Sequence, residues 1–433
     1  MDCHRAATAA PLCIATLLAL LLEGASIPAI AADAPLTLAE AQRRAVERSR
    51  IVVAQDAAAS ASRDMAVAAG QLPDPVATVG VNNLPINGPD AWSLTRDFMT
   101  MTNIGVMQEF TREEKRQARA ERFEREAEKS VTERAARVVA IQRDTALAWL
   151  DRYYAEAQVA VVAEQSRQAR LEVEAAETAY RAGRGSLADV FAARGALAAL
   201  DDRASELTRR AGNARIALAR WVGDAAAAPL AGRPTIDTIR LDPRTLEAEL
   251  DNQPEVAVLA RQQEVAAAEV RVAQANKKAD WSVQLMYSQR GSAYSNMISV
   301  NLSVPLQLDP KNRQDRELAA KLSMLDQARA EREDMLRARA AEVRAMIAEW
   351  ENDRERAGRY ERELVPLATE RTQATLAAYR GAKASITDVL LARRAEIDVR
   401  LQALQLETDT ARLWAQLNFL IPADDPVGQP TAN

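Results

Sequence analysis

The sequence predicts a mainly α protein with a minor β component: long coiled-coil α-helical hairpins plus four β-strands per protomer. Three observations carry this. Thr111 to Tyr180 contains neither Pro nor Gly, and a chain rich in Ala, Glu, Arg and Leu reads as long coiled-coil helices. Residues 281–290 (WSVQLMYSQR) and 297–306 (MISVNLSVPL) alternate apolar and polar side chains with period two, the mark of a strand. Residues 179–194 (AYRAGRGSLADVFAAR) return 199 positions later as residues 378–393 (AYRGAKASITDVLLAR), with eight of sixteen positions identical. A sentence repeated at that distance implies a duplicated architecture.

The first 32 residues read as a targeting segment. His4 and Arg5 precede an apolar stretch, Leu12 to Leu22, that is too short to span a bilayer as a helix. Ala29-Ile30-Ala31 is a cleavage pattern, which places the mature start near Ala32 or Asp33. A secreted bacterial chain is expected. Cys3 and Cys13 are the only cysteines, and Pro11-Leu12 before Cys13 does not suit a bacterial lipidation site. No lipid anchor is expected. His4 is the only histidine, so the mature chain carries neither imidazole nor thiol. That removes Ser-His-Asp and Cys-His nucleophile systems and the metal sites built on those ligands. Carboxylate chemistry stays possible in principle, but among 61 acids no pair stands out. The expectation is no enzyme, no cofactor and no resident metal. Charged residues reach 27% yet nearly cancel at a net −5, and no basic-aromatic face suggests nucleic acid. Beyond the targeting segment no run is apolar enough for a transmembrane helix.

Residues 33–222 form the first predicted repeat. A helix over 36–70 is capped by Thr37 and stopped by Gln71-Leu72-Pro73-Asp74-Pro75. A weak strand pair follows at about 75–83 and 98–110, with Ala77, Val79 and Val81 on one face and Ile104, Val106 and Phe110 after a longer loop. The long helix then reaches the tip, 181–185; seventy helical residues span roughly 100 Å. Leu150, Tyr154, Ala157 and Val161 alternate spacings of four and three, a coiled-coil seam. The helix Ser186 to Trp221 returns. Gly223, Pro229, Gly232, Pro234 and Pro243 mark 223–243 as an inter-repeat segment. Residues 244–422 repeat the plan: helix 244–277, the two clean strands, helix 311–379 kinked at Pro366, tip 380–384, and helix 385–420. Ile397, Leu401, Leu404, Thr408 and Ala411 form its seam. The tail 423–433 is expected to be disordered.

The strands carry the class. Ile298, Val300, Leu302, Val304 and Leu306 share one face, opposite Ser299, Asn301 and Ser303; Trp281, Val283, Leu285 and Tyr287 stand opposite Ser282, Gln284 and Ser288. A membrane barrel and a soluble sheet with one wet face share this pattern. Context favours the barrel, because each half offers one hairpin among helices too long and too polar to cover a sheet. Four strands cannot enclose a lumen, and lipid tolerates no unpaired edge, so subunits must pool strands. Three copies would supply twelve. Trp92, Phe98, Trp281, Tyr287 and Tyr294 read either as aromatic girdles or as ordinary packing. In both tip sentences Ser-x-x-Asp is a capping-box start, Ser186/Asp189 and Ser385/Asp388, and Gly183 is a helix stop.

A targeting segment, two repeats of helix–strand–strand–long helix–tip–helix, and the tip sentence Y-R-x-x-x-x-S-x-x-D-V together resemble the TolC-like outer-membrane efflux protein family, the outer membrane factors. The resemblance covers nearly all the mature chain. It implies a homotrimer in which a twelve-stranded barrel in outer-membrane lipid continues as a periplasmic helical tunnel. Such proteins are exit ducts of tripartite pumps or type I secretion systems, fed by an inner-membrane transporter through a periplasmic adaptor (membrane fusion) protein. The tips are then the adaptor contacts: Tyr180, Arg181, Gly183, Arg184, Ser186, Tyr379, Arg380, Lys383 and Ser385. Arg181, Arg184, Arg380 and Lys383 would form a basic rim, or merely offset helix dipoles. Asp388, Leu391 and Asp189 are the implied aperture residues. The family often places a second acid one turn after the tip Asp; here Leu391 stands there, so one acidic ring with an apolar ring above it is expected. Asp388 as a simple cap is the competing reading. The stretch from Leu72 to Arg119 resembles the heavy-metal branch (CzcC- and CusC-like), which implies an RND-type transporter. Met99, Met101 and Met107 read as soft ligands or as filler. The alternatives are a drug-efflux or type I secretion duct and, from another class, a periplasmic coiled-coil structural protein without a pore.

Overall fold

The structure, a computed structural model, describes residues 34–241 and 246–422, without the side chains of 246–248. The predicted targeting segment, Pro243 and the predicted tail lie outside these residues. The elements follow in the order α1 (Leu38–Glu47), α2 (Arg50–Ala69), β1 (Val76–Asn82), β2 (Met101–Phe110), α3 (Glu113–Arg181) and α4 (Leu187–Val222). The second half runs α5 (Leu246–Asp251), α6 (Pro254–Asn276), β3 (Trp281–Arg290), β4 (Met297–Ser303), α7 (Gln314–Arg359), α8 (Val365–Arg380) and α9 (Ile386–Asn418). The class is as the sequence predicts.

Several boundaries differ, each for a local reason. Thr37 caps α1 by accepting from the Glu40 N–H at 3.1 Å. The predicted single helix 36–70 breaks at Arg48-Ser49, where the Ser49 hydroxyl caps a new start. The predicted helix 244–277 breaks likewise before Pro254, which takes the first position of α6, where its missing N–H costs nothing. β2 begins at Met101 and not near 98, because Asp97 folds its carboxylate onto the N–H groups of Met99 and Thr100. β4 ends three residues early, ahead of Pro305, which has no N–H for a ladder. The kink expected at Pro366 takes the form of a π-turn, Tyr360–Leu364, between α7 and α8. A widened turn accommodates the ring and the carbonyl it leaves unpaired.

Two apolar cores sit at matching heights on the long helices. Trp149 of α3 packs with Tyr154, Leu218 of α4 and Ala411 and Ala415 of α9, and its indole N–H donates to the Leu36 carbonyl at 3.0 Å. Leu36 pairs in turn with the inter-repeat segment through Pro229 and Ala231. Trp350 of α7 packs with Val343, Ile347, Leu250 of α5 and Leu417 of α9. Of the predicted first seam, Leu150 and Tyr154 are buried, but Val162 takes the buried place expected for Val161. Ile397, Leu401, Thr408 and Ala411 are buried in α9, and Leu404 is half-buried.

The four strands form one antiparallel sheet in the order β1-β2-β3-β4. One face carries apolar rows: Ala77–Val106–Leu285–Val300 and Val79–Ile104–Tyr287–Ile298. This face is bare; Val79 is 75% exposed, Ile298 73% and Val300 70%. Among the described residues no helix packs across it. The polar face is the sheltered one, with Asn103 and Ser288 buried. A soluble sheet does the reverse. The sheet is tied to the helices at one joint. Lys115 Nζ meets Asp280 Oδ2 at 2.6 Å and the Lys278 carbonyl at 3.1 Å, the Arg112 N–H donates to Asp280 Oδ1, and Phe110 stacks on Trp281.

Candidate functional site at the hairpin tips

Each tip is a helix stop, a tight turn and a capped start. α3 stops in a paired-bond motif, with the Arg184 N–H on the Ala179 carbonyl and the Gly183 N–H on the Tyr180 carbonyl, both 2.9 Å. Gly183 takes the left-handed position that this motif requires, at φ 68. The second tip makes the same two bonds from Lys383 and Ala382. There the left-handed residue is Ala382, at φ 57, because its glycine, Gly381, stands one place earlier. Ala382→Gly should therefore raise stability by about 1 kcal/mol, since an L-residue loses 1–2 kcal/mol in that region. Thermal melting of the wild type beside this variant checks it; an unchanged or lower midpoint would contradict the strain.

Both predicted capping boxes are present. The Ser385 hydroxyl and N–H reach Asp388 Oδ2 at 2.7 and 2.9 Å, and the Asp388 N–H returns to the hydroxyl at 3.1 Å. Ser186 and Asp189 repeat the arrangement at 2.8, 2.9 and 3.1 Å. The serine hydroxyl, then its N–H, hold the Asp388 carboxyl below the ordinary range; for Asp189 the N–H contributes most. Both carboxylates are thus ionised whenever the surrounding pH is near neutral.

A small core of Ala176, Val190, Ala193, Ile386 and Val389 brings the two tips together. Tyr379 packs against it, whereas Tyr180 is 46% exposed. The repeated tyrosines are therefore not equivalent. Arg181, Gly183, Arg184, Ser186, Arg380, Lys383 and Ser385 are exposed around this end. Asp388 is exposed and Asp189 half-buried, while Leu391, one turn beyond Asp388, is 60% exposed.

Sequence reasoning missed a charged cluster just behind the tip. Arg393 of α9 meets Glu172 of α3 at 3.0 Å and Glu396 at 3.5 Å, and Arg400 meets Glu396 at 2.7 Å. Both acids are buried. Thr369 of α8 donates to Glu396 at 3.3 Å and accepts from Arg400 at 3.2 Å. Burial pushes the Glu172 carboxyl up, against the pull of Arg393. One signal was available: Arg194 and Arg393 close the two tip sentences identically, the first on half-exposed Glu177 and the second on buried Glu172. Beside the cluster a groove of about 470 Å³ opens between α4 and α9, bridged by Arg203 and Asp398 at 2.8 Å. Among the described residues no group of three or more His, Cys, Asp or Glu side chains is placed to hold a metal, and no helix is long and apolar enough to cross a membrane.

No protein-family model matches the sequence, and no curated protein is significantly similar to it. Solved structures are. The outer membrane protein VceC of Vibrio cholerae is 19% identical, with a TM-score of 0.73 over 88% of this chain and 95% of that one. CusC, described for its transmembrane channel formation, is 15% identical, with a TM-score of 0.74 over 89% and 92%. The fold is that of the outer-membrane channels. The open-state channel MtrE of Neisseria gonorrhoeae, 16% identical with a TM-score of 0.70 over 88% of both chains, has it too. In this channel fold the bare apolar sheet and the tips lie at opposite ends of the long helices, joined by the 69 residues of α3.

Proposed function

We propose that three copies of this chain pool their sheets into a twelve-stranded β-barrel in the outer membrane, without a lipid anchor, and extend their helices through the periplasm as a tunnel. The protein is then the exit duct of a tripartite efflux pump. The observation that carries this is the sheet: among the described residues its apolar face is uncovered and both edge strands, β1 and β4, lack a partner on one side. Lipid suits that face, and neighbouring copies complete the edges. The tips supply the periplasmic end, where Tyr180, Arg181, Arg184, Arg380 and Lys383 contact an adaptor protein that couples the duct to an inner-membrane RND-type transporter. Three Asp388 carboxylates, with Leu391 above them, line the aperture; Asp189 stands behind in the equivalent cap. Negative side chains at such a constriction favour cations and penalise anions. Heavy-metal cations are the proposed cargo, supported by the resemblance of residues 72–119 to that branch.

Asp388→Ala tests the aperture. Loss of the cap should lower stability by about 1 kcal/mol, and the cation-to-anion permeability ratio of single channels should fall several-fold. A normal ratio with the stability loss alone would reduce Asp388 to a cap.

A further inference from the structure

The polar face of the sheet is not uniformly polar. Its successive rows read Val76–Met107–Gln284–Asn301, Thr78–Gly105–Met286–Ser299, Gly80–Asn103–Ser288–Met297 and Asn82–Met101–Arg290. One methionine stands in each of four consecutive rows, on three different strands. The apolar face carries none; its large apolar side chains are Val, Ile, Leu, Tyr, Phe and Trp. Methionine used as filler belongs among apolar neighbours. Here it is segregated to the side lined with Ser, Thr, Asn and Gln. Met99, grouped with Met101 and Met107 on sequence, lies in the loop before β2 and outside the series. Gly105, opposite Met286, lies where the two strands approach too closely for a side chain, since a Cβ there would lie 2.9 Å from the Leu285 carbonyl.

We infer that Met107, Met286, Met297 and Met101 form a thioether ladder that binds soft monovalent cations of the Ag(I) and Cu(I) class along the inner wall of the barrel. Thioether sulfur selects soft d10 cations over hard ones. Rows on one face are two residues apart, roughly 7 Å, so four rungs cover about 20 Å. Each rung is a weak site, and several weak sites in series let an ion enter and still leave. In the proposed trimer every rung offers three sulfurs. The ladder rests on the barrel reading only for its position in a lumen; thioether binding itself does not require conduction. Because a thioether carries no titrating proton, the binding holds between pH 5 and 8.

Two measurements test it on the detergent-purified chain, with Cys3 and Cys13 alkylated if present. In chloride-free potassium nitrate, Ag+ added to planar bilayers should block the potassium current. Replacing all four rungs by leucine should raise the half-blocking concentration at least tenfold while leaving the potassium conductance intact. Met65→Leu with Met324→Leu, on exposed helical methionines, should leave the block unchanged. An equal block in the four-leucine variant would overturn the ladder. Bound Ag+ per chain, read by mass spectrometry after equilibrium dialysis, decides the same question if no current flows: it should fall in the four-leucine variant, and equal binding would overturn the proposal. Absence of a potassium current counts against the duct alone.

Discussion

Ile298→Lys should prevent stable assembly in the outer membrane, whereas Ser299→Lys, the next residue on the same strand, should not. Ile298 ends an exposed apolar row on the edge strand β4, paired through Tyr287 and Ile104 to Val79. Ser299 faces the other way, beside Met286. A lysine facing lipid costs up to about 2–4 kcal/mol, the full amount only at the midplane, so three copies would lose up to about 6–12 kcal/mol per trimer. A lysine in a water-filled lumen loses little. Membrane fractionation and gel mobility of the unboiled trimer read the difference directly. If the two variants behave alike, the apolar face does not meet lipid. The contrast is informative because both variants carry the same new charge on neighbouring residues.

Arg393→Met should cost about 3–5 kcal/mol, because it strands the buried Glu172 carboxylate and leaves buried Glu396 with Arg400 alone. The loss should be larger at pH 7 than at pH 5. Glu172 already has its carboxyl raised above 4.5 by burial, so its charged form is an unfavourable contribution at neutral pH that fades as pH falls toward 4.5. Removing Arg393 widens that window. The cap acids do not confuse the comparison: Asp189 and Asp388 lie below 3.8, and their contribution is lost only on further acidification. Adding Glu172→Gln to Arg393→Met should recover most of the loss, since the stranded charge is then gone and Glu396 keeps Arg400. Thermal midpoints at the two pH values decide it. A loss under 1 kcal/mol, or one independent of pH, would show the cluster to be better solvated than its burial indicates.

What could be read from the sequence was local or periodic. β3 runs over the predicted 281–290 because Trp281, Val283, Leu285 and Tyr287 fall at every second position. The capping boxes and the Thr37 cap were legible because their partners lie three residues apart. Breaks set by a single side chain were harder. Ser49 ends a helical pattern only by capping the next helix, and its neighbours Arg48 and Arg50 are good helix formers. The fate of Tyr180 and Tyr379 was not legible at all, since identical local sentences meet different neighbours. The Glu172–Arg393–Glu396–Arg400 cluster unites residues 221 apart in a chain with 27% charged residues, so nothing in the pattern singles them out. The methionine ladder needed the strand register, because period two places a residue on a face but does not say which rows align.

The most direct test of the duct is the conductance of the purified chain in planar bilayers, taken together with its subunit count by native mass spectrometry. The account predicts a trimer that inserts and gives discrete, cation-selective current steps. A monomer or dimer that stays soluble without detergent and never conducts would contradict it, and the sheet would then require some cover other than lipid.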